Sequence, residues 1–176
     1  IFNAFAKPKI IWGELSNDAK FAYDEMGYYL DATVFLMTGD YLKTVLCIMN
    51  SKLGNWYFYQ ISTTSGMGTN RWKKYKIQKF PLPRITEDIN IPFETIAEYL
   101  IYLNDPKQAS VLEKVSNEAV SQVFEDLVNM MVYELYFAEE MKTKEIDVLQ
   151  FVTEKAFPDI TQAEDPKAII QKVYYE

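Results

Sequence analysis

Histidine is absent from the 176-residue chain, and cysteine occurs once, as Cys47. Without an imidazole there is no His general base, no Ser-His-Asp triad and no His-ligated metal. A single thiol excludes zinc ribbons, disulfide frameworks and dithiol redox pairs. Cys47 lies between Leu46 and Ile48 on an apolar segment, which is the setting of a buried, inert thiol. No apolar run approaches the roughly 18 residues that a membrane span needs. Glycines are few, and none builds a G-x-G-x-x-G or P-loop fingerprint. Gly66-Met67-Gly68 lacks both the third glycine and the preceding strand. The opening residues carry no initiator Met and no signal-peptide layout, which points to a piece of a longer protein. Together with the single cysteine this points to the cytoplasm.

What is present is the composition of a folded domain: 49% hydrophobic, 24% charged and 15% aromatic residues, with thirteen Tyr and eleven Phe. Much of the burial is therefore expected to be aromatic. The net charge of −7 conceals an asymmetry. Residues 1–86 carry eleven Lys/Arg against six Asp/Glu, whereas residues 87–176 carry seven against nineteen. From Tyr41 through Thr86 there is no acid at all, but there are Lys43, Lys52, Arg71, Lys73, Lys74, Lys76, Lys79 and Arg84. A local run of cations is the footprint of a polyanion partner, although basic and acidic lobes packed on each other would give the same counts.

The two halves also differ in pattern. Residues 1–86 read as short strands with one packed helix. Strands are expected at Lys9–Leu15, Phe21–Asp24, Tyr28–Leu30 and Thr33–Thr38, where β-branched and aromatic runs alternate with turn residues. Asp40 is placed to cap a helix whose buried face is Leu42, Val45, Leu46, Met49, Leu53, Trp56 and Tyr57, weakened at Gly54. A small, polar, glycine-bearing loop spans residues 62–70. Arg71-Trp72-Lys73-Lys74-Tyr75-Lys76 follows as a basic strand or hairpin, and Phe80-Pro81-Leu82-Pro83 stops it. Residues 87–176 read as helices. Pro92 opens one. Asp105-Pro106, with Gln108 at N3, starts another that runs to about Met141, its face including Val120, Val123, Phe124, Leu127 and Met131. Glu145–Ala156 and a segment from Asp165-Pro166 to Val173 complete the set. The expected fold class is α+β: a small antiparallel or mixed β lobe, then an all-helical acidic lobe.

The strongest candidate site is residues 62–79. Arg71 and Asn70 are side chains that read guanine and adenine edges bidentately, and Lys73, Lys74, Lys76 and Lys79 can neutralise phosphates. Trp72 and Tyr75 would support the hairpin. An exposed basic hairpin without a ligand is the competing reading. Pro158-Asp159 with Asp165-Pro166-Lys167 has the letters of a PD…D-x-K nuclease site, but the spacing is short and Asp165-Pro166 is accounted for as a helix start. Glu134, Glu139 and Glu140 read as a solvated helix face. Asn104-Asp105-Pro106-Lys107 departs from the Asn/Asp-Pro-Pro-aromatic motif that holds a flipped adenine. No nucleophile–base pair can be assembled, so no catalytic, cofactor or metal residue is expected.

The order KPKIIWGEL, FAYDEMGYYL, a strand, VLCIMNSKLGNWYF, a Gly-containing loop and KKYKIQKFPLP resembles the TaqI-like C-terminal specificity domain over roughly residues 7–86. The Asn50-Ser51-Lys52 triplet and the Phe80-Pro81-Leu82-Pro83 exit carry it best. Val132–Phe137 (VYELYF) is similar to the helical tail that follows this domain. The resemblance implies the target-recognition part of an adenine-specific DNA methyltransferase or a fused type IIG restriction–modification enzyme. Double-stranded DNA and the remaining domains of the parent would be the partners, and S-adenosylmethionine would be used by a separate domain. It further implies base contacts from Met67, Thr69, Asn70 and Arg71. The alternative is a protein-interaction or scaffolding module that docks through the Met130–Phe137 stretch and meets an acidic partner with its basic strip.

Overall fold

The computed structural model describes residues 2–63 and 69–176. The chain divides into two compact units, Ile1–Arg84 and Ile85–Glu176. The fold is α+β, with the sheet in the first unit and helices throughout the second. Among the described residues, no helix is long and apolar enough to cross a membrane.

The first unit begins with a short helix α1 (Phe2–Phe5) and strands β1 (Lys9–Gly13), β2 (Leu15–Ser16), β3 (Ala22–Asp24) and β4 (Val34–Met37). β1 is the centre of an antiparallel sheet of order β3-β1-β4. Its register sets Lys9 opposite Asp24 and Trp12 opposite Phe35. Lys9 Nζ lies 2.6 Å from Asp24 Oδ2, with side-chain exposures of 0% and 4%. Lys9 also donates to the Phe5 carbonyl. Burial alone would raise the Asp24 carboxyl, but the Lys9 ammonium and the amides of Met26 and Tyr28 outweigh it and hold the group below its ordinary value. The stretch Tyr28–Leu30, expected as a strand, forms none; Tyr28 and Tyr29 are exposed, and the Asp24 carboxylate instead holds the turn through the Met26 and Tyr28 amides.

The expected single helix is two: α2 (Leu42–Asn50) and α3 (Lys52–Ile61). α2 starts at Tyr41, whose φ of 54° is left-handed and which makes no side-chain cap, so Asp40 does not have the capping role expected of it. The break falls at Ser51, not at Gly54. Ser51 Oγ donates to the Ile48 carbonyl and accepts from the Gly54 amide, closing one helix and capping the next. Asn50 exchanges two hydrogen bonds with the Phe21 backbone, pinning this corner to the sheet. Gly54 has a different role: a Cβ there would sit 2.3 Å from the Ile48 carbonyl oxygen. Gly54→Ala should therefore lower stability by about 1–3 kcal/mol, although alanine is the better helix former. Urea unfolding checks this, and a stabilised variant would show that the corner is looser than drawn. Cys47 is buried in α2, and burial pushes its thiol up to about 12.

After α3 come β5 (Asn70–Arg71) and one turn of helix, α4 (Lys74–Ile77). The basic stretch is thus not a strand with alternating faces. Ile77 is buried, and the amides of Lys76 and Ile77 close onto the Lys73 carbonyl.

The second unit comprises α5 (Glu87–Asn104), α6 (Asn117–Tyr136), α7 (Ala138–Thr143), α8 (Val148–Lys155) and α9 (Pro166–Tyr175). α5 starts before Pro92, which is buried inside it; Glu87 and Asp88 supply the acidic first turn. Asp105-Pro106 makes a turn and not a long helix. Asp105 accepts from the Lys107 amide, and the chain then carries Val111 and Leu112 into the core, where Asn117 accepts from the Val111 amide. α6 starts at Ser116, which caps the Ala119 amide. Asp165 caps α9 at the Ala168 amide, as the sequence led one to expect. Asp159 accepts from Thr161 within a turn. Glu134 accepts from the Val148 and Leu149 amides at the start of α8. Tyr99 donates to the Pro158 carbonyl, and burial, then the Asp159 charge, hold its phenol far above its usual range.

Candidate nucleic-acid interface

The basic segment is anchored to the sheet by an aromatic cluster. Trp72 is 2% exposed and stacks on Phe58 at 3.7 Å between centroids, with Phe21 edge-on at 5.6 Å. Trp12 packs on Phe21 and donates its indole N–H to the Trp72 carbonyl. The Trp72 indole donates in turn to the Ser16 carbonyl, and the Trp72 amide to the Glu14 carbonyl. Residue 72 is thereby held at ring, amide and carbonyl. Its neighbours Arg71 and Lys73 project from a fixed point.

β2 and β5 form a two-stranded antiparallel ribbon, with Leu15 opposite Arg71 and Ser16 opposite Asn70. Arg71 Nη1 lies 3.0 Å from Glu14 Oε1, and Lys73 Nζ lies 3.7 Å from the same oxygen. The Arg71 side chain keeps 40% exposure. A half-exposed pair of this kind adds little stability. Its consequence is orientation: one carboxylate oxygen holds one nitrogen of a fork that has five N–H donors. Glu14 escaped the sequence reading because 57 residues separate it from Arg71. The only hint was an acid at the end of a strand in a basic half.

Asn70 is corrected. It is 4% exposed, its amide nitrogen donates to the Asn17 carbonyl, and its amide oxygen accepts from Ser62. Both ends of the amide are engaged inside the fold, where Asn70 braces the ribbon. Lys76 donates to the Ile61 carbonyl at the end of α3, where a cation complements the helix C-terminus. Lys74 and Lys79 are exposed, and Tyr75 is 51% exposed with the Lys76 ammonium over its ring. Thr69 is half-buried and helps to line a cleft of ≈ 510 Å³ with Ser16, Asn17 and Lys20. Met67 lies outside the described residues. The structure therefore brings Arg71 and Lys73 together through Glu14, and directs Asn70, Lys76 and Trp72 inward.

Residues 1–82 match the family of the TaqI-like C-terminal specificity domain. The match covers nearly all of the first unit and none of the second. A search of the curated proteins finds no match to the chain. The Asn50-Ser51-Lys52 triplet that carries the likeness is the helix junction described above, and Phe80, at the start of the exit, packs edge-on against Tyr57 of α3.

Proposed function

Starting from a TaqI-like specificity domain in residues 1–82, we propose that the first unit reads double-stranded DNA for a restriction–modification enzyme. The parent in this reading is an adenine-specific DNA methyltransferase, with or without a fused endonuclease. This segment is non-catalytic, and methyl transfer belongs to another domain. The observation that carries the reading is the Glu14-oriented Arg71 fork on a ribbon locked by Trp72, in a stretch from residue 41 to 86 that holds eight cations and no acid. A guanidinium is the side chain suited to guanine O6 and N7. Lys73, Lys74 and Lys79 are the phosphate contacts, and Met67 and Thr69 remain base-contact positions on the same loop. The second unit, with its acidic surplus, braces the parent enzyme.

Selection of bound duplexes from a random-sequence pool tests this. The chain should enrich a defined site. Arg71→Ala should relax one position of that site at a cost of about 1–3 kcal/mol. Uniform weakening on every sequence would move Arg71 to the DNA backbone, and no enrichment at all would remove the reading. Glu14→Gln should broaden the same position with a smaller loss of affinity, because the fork loses its anchor and not its charge.

A further inference from the structure

Leu15 is a large apolar side chain left 57% exposed on backbone that is pinned on both sides. Before it, the Glu14 amide donates to the Thr33 carbonyl, and the Glu14 carbonyl accepts from the Trp72 amide. After it, the Ser16 carbonyl accepts from the Trp72 indole. Leu15 itself is the ribbon partner of Arg71. Residues directly opposite in an antiparallel pair project from the same face, with Cβ atoms about 5 Å apart. The partner segment alternates: Asn70 and Trp72 are buried, whereas the side chains of Arg71 and Lys73 keep 40% and 38% exposure. Leu15 therefore stands on the outward face, beside the Arg71 fork. Trp56, expected on the buried face of its helix, is exposed to the same degree, but it belongs to α3 and not to the ribbon.

We infer that Leu15 is a second base-reading residue, which contacts the C5 methyl of a thymine within two base pairs of the one read by Arg71; the inference rests on the DNA-reading proposal. The major groove admits a two-stranded β-ribbon, and the thymine methyl is the apolar group among the base edges displayed there. An apolar side chain is the partner for that methyl, as arginine is for guanine. The charges around Leu15 suit the same partner. The Glu14 carboxylate joins Arg71 and Lys73, two cations to one anion, so a positive charge is left over beside the leucine. Leu15 also borders the cleft that Asp18 and Lys20 line; Asp18 accepts from the Tyr59 hydroxyl, and Lys20 is a further cation. An apolar protein surface covering Leu15 would have to take that surplus charge out of water, whereas a duplex offers it phosphates beside the methyl. Successive base pairs are about 3.4 Å apart along the duplex. A Cβ separation of about 5 Å therefore sets the methyl one or two base pairs from the guanine of Arg71. Because the backbone is pinned, the consequence is a defined offset in the site and not a general preference for A·T pairs.

The test uses the whole chain and a duplex from the pool selected by it, with thymines replaced one at a time by deoxyuridine, which lacks only the C5 methyl. One replacement, within two base pairs of the Arg71-dependent position, should weaken binding about three- to fivefold. Leu15→Ala should bind the thymine and deoxyuridine duplexes equally, and Leu15→Met, which keeps an apolar tip, should retain the difference. If no replacement within that distance changes the affinity while Arg71→Ala still relaxes its position, the inference is overturned and the reading domain stands. A selected site with no thymine in that window overturns it too. So does a Leu15→Ala protein that keeps the full thymine preference, since another residue then holds the methyl. Loss of a self-associated species in Leu15→Ala at unchanged DNA affinity would assign Leu15 to a protein contact and overturn it equally. Should the unmodified chain bind no duplex, both proposals fail. Both variants leave the core intact, because Leu15 is exposed, and the deoxyuridine series on unmodified protein needs neither of them.

Discussion

Trp72→Ala should destabilise the first unit by about 3–5 kcal/mol, the range for deleting a large buried aromatic side chain. The loss has named parts. The stack on Phe58 and the edge contact with Phe21 disappear. The Ser16 carbonyl loses its indole donor, and a buried acceptor without a partner costs further. Trp72→Phe keeps an aromatic face against Phe58 and gives up the indole bond, so it should lose less, about 1–3 kcal/mol. All three tryptophans lie in the first unit, so unfolding followed by tryptophan fluorescence reports on that unit. The functional consequence goes further than stability. Trp72 fixes the backbone between Arg71 and Lys73, so Trp72→Phe should retain site preference while binding more weakly. A Trp72→Ala protein within about 1 kcal/mol of the parent would mean that the ribbon is anchored by something else.

Asp24→Asn should cost a similar amount, about 3–5 kcal/mol, for a different reason. It leaves the Lys9 ammonium, 0% exposed, facing a neutral amide. Removing one partner of a buried ion pair is far more damaging than never having built the pair. The pH dependence has a definite sign. The folded Asp24 carboxyl titrates below its ordinary value of 3.8. Its contribution is therefore complete above about pH 4 and is lost as the pH falls through the lower folded value. Urea midpoints measured from neutral to acid pH should show a steeper acid loss for the parent than for Asp24→Asn, because the variant has no such proton to take up. Identical acid limbs would contradict the assignment.

The strands β1, β3 and β4 were legible as β-branched and aromatic runs between turn residues. The Asp165-Pro166 helix start was legible because cap and proline act locally. The same local logic misled at Asp105-Pro106. One turn does form there, but the burial of Val111 and Leu112 takes the chain elsewhere, and that pull is tertiary. Gly54 was read through helix propensity, whereas its position answers to the close approach of the Ile48 carbonyl, which no single-sequence pattern encodes. The candidate site divides along the same line. Arg71, Lys74 and Lys79 could be picked out by charge alone. The inward turn of Asn70 and the role of Glu14 depend on a ribbon pairing residues more than fifty positions apart, and that of Lys76 on the end of α3, fifteen residues before it; both are visible only once the chain has folded.

The most direct test of DNA reading is the affinity of the whole chain for its selected duplex as a function of salt. With three to five phosphates neutralised, the logarithm of the binding constant should fall against the logarithm of salt with a slope of about −3 to −4.5. A slope near zero, or the absence of duplex binding at low salt, would contradict the account.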